Sequence, residues 1–305
     1  MNIELARWAE ADNEPVRALA GHASIAPQFE QILGPGRLEH WLADPFCNAA
    51  LRWIARADGE LAGFAYAFLF HDARPPWTML RIAVAAPFRR QGIGTRLFQA
   101  QLAALAERMP GCREISASAW EPCLEATGFF VRHEFRTVRH FWMMERPVDG
   151  LQAPEWPREI EVRAFDGSEQ ALTDWNDVYN SSFARHYHYV PGTVETCRTL
   201  AASPRFADGA LLLAYEGARC VGFCRDDIHT ASGEVSTLGV APEWQGRGLG
   251  RALLRWGAQW LVEHGALPIT LIVDGENESA LRLYRSEGFQ VSRTRHHWSR
   301  ALANT

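Results

Sequence analysis

The chain has 305 residues, 47% of them apolar and 22% charged, with a formal net charge of −5. That length suggests about two domains of ordinary globular composition. The acidic balance argues against a nucleic-acid binder, which carries a basic stripe. No run of about 18 apolar residues is present to cross a membrane. Met1-Asn2-Ile3-Glu4-Leu5-Ala6-Arg7 lacks the basic start and apolar centre of a secretory leader. The six cysteines form no Cys-x-x-Cys pair, so a reduced, cytoplasmic setting is expected.

In chain order the sequence reads as one unit written twice. A short strand opens each copy (3–6; 160–163). Helical material follows (14–20 and 38–42; 172–183 and 194–202). Two strands then flank a turn (51–55 with 61–70; 211–215 with 220–226). A third strand runs into a glycine-rich turn and a long helix (95–108; 251–264). In the second helix Leu253, Leu254, Trp256, Gly257, Trp260 and Leu261 share one face. Another strand comes next (114–117; 269–273), then, in the second copy, a helix from Asn277 to Glu287. Asn277 suits its N-cap and Gly288 its C-terminal stop. Closing strands end near Trp142 and Trp298.

The two copies match residue by residue. Arg89-Arg90-Gln91-Gly92-Ile93-Gly94 parallels Gln245-Gly246-Arg247-Gly248-Leu249-Gly250. Gly128-Phe129 parallels Gly288-Phe289, and Arg139-His140-Phe141-Trp142 parallels Arg295-His296-His297-Trp298. The separation stays at about 156 to 160 residues, the mark of an internal repeat. The expected division is therefore 1–147, a proline-rich linker 148–157, and 158–305. The expected fold class is mixed α/β (α+β): two tandem domains, each a mixed, mostly antiparallel twisted sheet flanked by helices.

The glycine turn is a phosphate seat in physical terms. Glycines allow positive φ, and the helix start offers unpaired N–H groups at the positive end of its dipole. The second copy adds Asn277-x-x-Ala280-x-x-Leu283-Tyr284-x-x-x-Gly288-Phe289 downstream. Together these motifs resemble the GNAT family of acetyl-CoA-dependent N-acetyltransferases, well over 158–300 and more loosely over 1–146. The tandem layout is similar to that of the mycothiol synthases.

That resemblance implies acetyl-CoA as the cofactor, with backbone amides from Gly246 to Arg251 on its pyrophosphate and Gln245 in the same turn. Leu238, Gly239 and Val240 would line the pantetheine arm, and the Val240 amide would donate to the thioester carbonyl. Asn277 would touch the pantetheine or cap the helix. Tyr284 would be the general acid and Glu234 the general base. Val84, Arg89, Arg90, Gln91, Gly92, Ile93, Gly94 and Thr95 form the corresponding second coenzyme A site. In that copy Thr78 stands at the base position, Leu124 at the Tyr284 position, and Pro122 opposes a helix interior. The first copy is therefore expected to be catalytically silent, either binding coenzyme A or only shaping the pocket.

The acceptor would be a primary amine on a small molecule, or alternatively an amino-sugar conjugate; a non-catalytic acetyl-CoA sensor is the reading from another class. Trp175, Tyr179, Phe183, Arg185, His186, Tyr187, His188 and Tyr189 are candidates to cover the acceptor. No metal site is expected, since His186 and His188 lack a further ligand at suitable spacing. His296 and His297 lie in the closing strand, where alternation sends one inward. The expected state is a monomer or homodimer, without nucleic-acid or membrane partners.

Overall fold

A computed structural model describes residues 1–203, 206–229 and 232–302. Among them are twelve strands: β1 (Ile3–Arg7), β2 (Trp53–Ala57), β3 (Glu60–Phe70), β4 (Trp77–Val84), β5 (Glu114–Trp120), β6 (Arg136–Arg146), β7 (Ile160–Ala164), β8 (Leu211–Glu216), β9 (Arg219–Ile228), β10 (Gly233–Val240), β11 (Ile269–Asp274) and β12 (Gln290–Ala301). The chain forms two compact units. One holds Met1–Arg139 and the stretch from Arg295; the other holds His140–Thr294.

In the first unit β1, β2, β3 and β4 pair in order, each antiparallel to the next. β5 joins β4 in parallel, and residues 295–301 of β12 close the sheet antiparallel to β5. The helix Ile93–Arg108 packs on one face, burying Leu97, Phe98 and Leu105. The shorter helices before β2 cover the other, around Phe64, Tyr66 and Phe68.

The second unit repeats this plan. β7, β8, β9 and β10 are antiparallel neighbours, and β11 joins β10 in parallel. Residues 141–146 of β6 close it, antiparallel to β11. The helix Leu249–Glu263 buries Leu249, Leu253, Leu254 and Leu261 against one face. The helices Glu169–Phe183 and Val194–Ala201 bury Trp175, Val178 and Cys197 against the other.

The closing strands depart from the division read off the sequence. Residues 140–146 complete the second unit, and residues 295–301 complete the first. Side chains follow the exchange: Met144 is buried in the second unit's core and Trp298 in the first unit's. His296, expected with the second copy, therefore meets Glu121 of the first unit at 2.5 Å. The six cysteines are all free, and Cys224 is fully buried.

Candidate active site

In the second unit the site begins where two parallel strands part. β10 pairs with β11 only at Gly233, Glu234 and Val235. Beyond that point Thr237 to Val240 pair with β9 alone, and β11 continues along β6. The edge of β10 that faced β11 is thereby left without a ladder partner. An extended chain carrying amides can add to such an edge.

At the end of β10 the chain enters the glycine turn. Gly246 has φ 76° and Gly248 has φ 90°, the second serving as N-cap of Leu249–Glu263. A Cβ at either position would meet no atom within 4 Å, so glycine is required by conformation, not by crowding. The helix begins at the turn itself, two residues before its expected start. Residues 245–248 are exposed, and a helix start offers unpaired N–H groups, which suits a pyrophosphate. The side chain of Gln245 turns inward and donates to the Val240 carbonyl at 3.0 Å. Arg247 lies over the Trp244 ring at 5.0 Å. Arg251 already bonds Glu287 at 2.9 Å, so its charge is shared.

The last helix, Glu278–Ser286, carries the proposed acid. Asn277 caps it, its side chain accepting from the Ala280 amide at 3.1 Å. Tyr284 is half-buried and packs with the core cluster that includes Leu238, Val240 and Leu249. Burial, with the nearby Cys224 thiol adding to it, pushes its phenol up to about 12. Such a group stays protonated at neutral pH and can give a proton to a thiolate.

Glu234 stands on the opposite face of β10. It pairs in register with Asp227, beside Arg225. Its Oε2 lies 2.7 Å from Nε2 of His229. Arg225 bonds Asp227 at 3.2 Å and the Ser236 hydroxyl at 2.6 Å. A register shift between Val235 and Thr237 makes Ser236 the extra residue of a β-bulge. Acid and base candidates thus approach the parted strands from opposite faces. The sequence reading missed His229, Arg225, Asp227 and Ser236. A charged Arg-Asp-Asp run inside an otherwise apolar strand was the available signal.

The candidate acceptor residues separate into two groups. Trp175 is core, enclosed with Phe165 and Phe223. Tyr179 stacks on Phe183 at 5.0 Å, and Tyr189 donates to Asn180 at 2.7 Å. Tyr187 stacks on His188 at 3.8 Å, while Arg185 and His186 are exposed.

The first unit repeats the glycine turn but carries other residues at the two candidate proton-transfer positions. β4 and β5 pair only as far as Leu80 with Ala117 and then part. A cavity of about 540 Å³ opens there, bounded by Val84, Arg89, Gly92, Gly94, Thr95 and Phe130. Gly92, at φ 83°, caps Ile93–Arg108 as Gly248 caps its helix. Arg89 bonds the Val84 carbonyl at 3.2 Å, as Gln245 does Val240. Arg90 also lines the cavity, whereas Gln91 turns to the Pro87 carbonyl. Thr78 is buried and donates to the Phe68 carbonyl at 2.7 Å, and β4 has no bulge.

Here the structure corrects the expected alignment. A helix, Leu124–Arg132, does follow β5; Pro122 precedes its N-cap Cys123, and Gly128 lies inside it. The Phe135 amide returns to the Phe130 carbonyl at 2.9 Å, as the Phe289 amide returns to Tyr284 at 3.0 Å. The counterpart of Tyr284 is therefore Phe130, and Leu124 is 84% exposed. The acceptor side is also filled. Gln28 forms two 2.7 Å hydrogen bonds with the backbone of Trp120, and Arg81 bonds the Gln28 carbonyl while lying over Phe29.

Comparison with known proteins agrees with this geometry. The acetyltransferase (GNAT) family matches residues 8–135 and 171–289. A mycothiol acetyltransferase of Actinosynnema mirum is 32% identical over 288 residues, covering 92% of this chain and 95% of that protein. One from Thermobispora bispora is 32% identical over 294 residues, covering 93% and 94%. The crystal structure of a GCN5-related N-acetyltransferase from Sphaerobacter thermophilus is 26% identical, with TM-score 0.72 and coverage of 98% and 95%. A tandem GNAT protein from the clavulanic acid pathway shares the fold, with TM-score 0.77 at 14% identity over all of both chains. The chain belongs to the GNAT family of acetyltransferases and is a tandem, two-domain N-acetyltransferase.

Proposed function

We propose that the second unit transfers the acetyl group of acetyl-CoA directly to the primary amine of a small molecule. The acceptor is an amino-sugar conjugate of the mycothiol type, a reading supported by the relatives named mycothiol acetyltransferase. Glu234 takes a proton from the amine, whose nitrogen forms the new bond to the acetyl carbon. As the carbon–sulfur bond breaks, Tyr284 gives its proton to the departing thiolate. The Val240 amide donates to the carbonyl oxygen while negative charge collects there. The glycine turn, with Arg247 and Arg251, holds the pyrophosphate. Leu238 to Val240 and Asn277 flank the pantetheine arm.

One observation carries this reading. The parted strands β10 and β11 lie between a carboxylate on one face and a protonated phenol on the other. The first unit, with Thr78, Phe130 and a filled acceptor side, is a second coenzyme A site without turnover. The test is free-thiol release by the full chain with acetyl-CoA and a panel of amines, amino sugars and cysteinyl amino-sugar conjugates. Release with the conjugates above all supports the proposal. Acetyl-CoA binding without release on any amine overturns it in favour of a sensor.

A further inference from the structure

Two carboxylates face each other across β9 and β10: Asp227 and Glu234 are paired in register on one face of the sheet. Each has its own cationic or potentially cationic partner. Asp227 has Arg225, with side chains 3% and 8% exposed. Glu234 has His229, with side chains 16% and 21% exposed. The difference between the partners matters. A guanidinium stays charged throughout the working range and can only donate. An imidazole offers one N–H in its neutral form and keeps its other nitrogen free. Its Nε2–H donates to a carboxylate oxygen, since an ionised carboxylate can only accept.

Backbone hydrogen bonds of the flanking residues fix where that donor sits. The His229 amide bonds the Ser232 carbonyl at 2.8 Å, which ties the residue carrying the ring to the start of β10. The Gly233 amide bonds the Pro268 carbonyl at 3.0 Å, and Thr270 donates to the Gly233 carbonyl at 2.9 Å. The residue before Glu234 is thus held at its backbone from the β11 side, and the Glu234 side chain from His229. Among the described residues, the charged groups that β9 brings beside the pair are Arg225 and Asp227 on the same face and Asp226 on the opposite one. Tyr179 and Cys197, from the covering helices, are close enough to feel the Arg225 charge.

We infer that His229 is the positioning residue of the general base: its Nε2–H holds Oε2 of Glu234, fixes the orientation of that carboxylate, and leaves Oε1 for the acceptor amine. This rests on the reading of Glu234 as base. Without the imidazole, the Glu234 side chain loses the donor that holds it beside Asp227. It would then be free to rotate away, which lowers the rate of amine deprotonation.

The experiment uses the full chain. His229→Gly is expected to lower kcat about tenfold or more, with acetyl-CoA affinity in calorimetry unchanged. Added imidazole should restore the rate, and 1-methylimidazole, which as a neutral ring has no N–H, should not; the comparison is made near pH 8.5, where both rings are largely neutral. His229→Phe fills the same space without a donor and should be as slow as the glycine variant. It also serves if that variant fails to fold. In the Glu234→Gln background, His229→Phe should cause no further loss. Equal rescue by both rings, or full rate in His229→Phe while Glu234→Gln is inactive, overturns the inference and leaves the base reading intact. Full rate in Glu234→Gln overturns both.

Discussion

Phe130 holds in the first unit the place that Tyr284 holds in the second, so the two positions differ by one hydroxyl oxygen. Each is the helix residue whose carbonyl receives the amide of the phenylalanine just before the next strand. Tyr284→Phe therefore gives the second unit the first unit's residue. We expect kcat to fall about 10²-fold with acetyl-CoA binding retained, as measured by thiol release and calorimetry. Phe130→Tyr should gain no activity, because Thr78 still bonds Phe68 and Gln28 still bonds Trp120. With its phenol pushed up to about 12, Tyr284 should add no alkaline limb to the rate profile below about pH 10.

Glu234→Gln keeps the size of the side chain and removes its capacity as a base. The expected loss in kcat/KM is about 10²-fold or more. It should shrink for acceptors whose amines are already neutral at the assay pH. Steady-state rates with two amines of different basicity measure this.

The glycine turns give a stoichiometry. Gly92 and Gly248 both hold left-handed backbone that a side chain strains by about 1–2 kcal/mol. The wild-type chain should bind two molecules of acetyl-CoA in calorimetry. Gly248→Val should weaken the site that supports turnover by about tenfold or more. Gly92→Val should weaken only the other. A wild-type stoichiometry of one, lost in Gly248→Val, would remove the second site from the proposal.

Asp226 gives a pH dependence of stability. It is fully buried beneath Gly257, with Cys224 beside it, and its Oδ2 has no partner among the described residues. Burial raises its carboxyl well above the ordinary 3.8. Below that value both folded and unfolded chains carry the proton, and nothing is lost. As the pH rises past it, the unfolded chain ionises first, the folded chain binds more protons, and stability falls with pH. Asp226→Asn cannot ionise. Its Tm relative to wild type should therefore climb steadily from about pH 4 upward, which calorimetry across pH would show.

Gly257→Ala tests the same contact by volume. Alanine normally favours a helix over glycine by about 1 kcal/mol. Here its Cβ would lie 2.8 Å from both Asp226 Oδ1 and Cys224 Sγ. Overpacking of this kind costs about 1–3 kcal/mol, so the net effect should be a lower Tm.

What could be read from the sequence was local. The glycine turns showed because positive φ at Gly246 and Gly248 demands a residue type. The helix Glu278–Ser286 showed because Asn277 caps it and Gly288, at φ 85°, ends it. The first copy deceived because Glu134 takes the positive φ, 64°, that glycine takes in the second. That left Gly128-Phe129 as a false match inside a helix. The His229 contact and the bulge at Ser236 were hidden for another reason. They depend on how β9 and β10 register, and side-chain spacing along one strand does not report register across two.

The exchanged strands bear on how the protein is made. β5 waits for residues 295–301, which are synthesised only after the whole of residues 140–294. Until then the first unit presents a bare parallel-sheet margin and an uncovered Phe130, whose ring meets Trp298 at 4.8 Å in the finished fold. A nascent chain in that state exposes the kind of surface that chaperones retain and that neighbouring chains can capture. Severing the gene between the halves would not yield two small proteins, since each fragment would lack the strand encoded in the other.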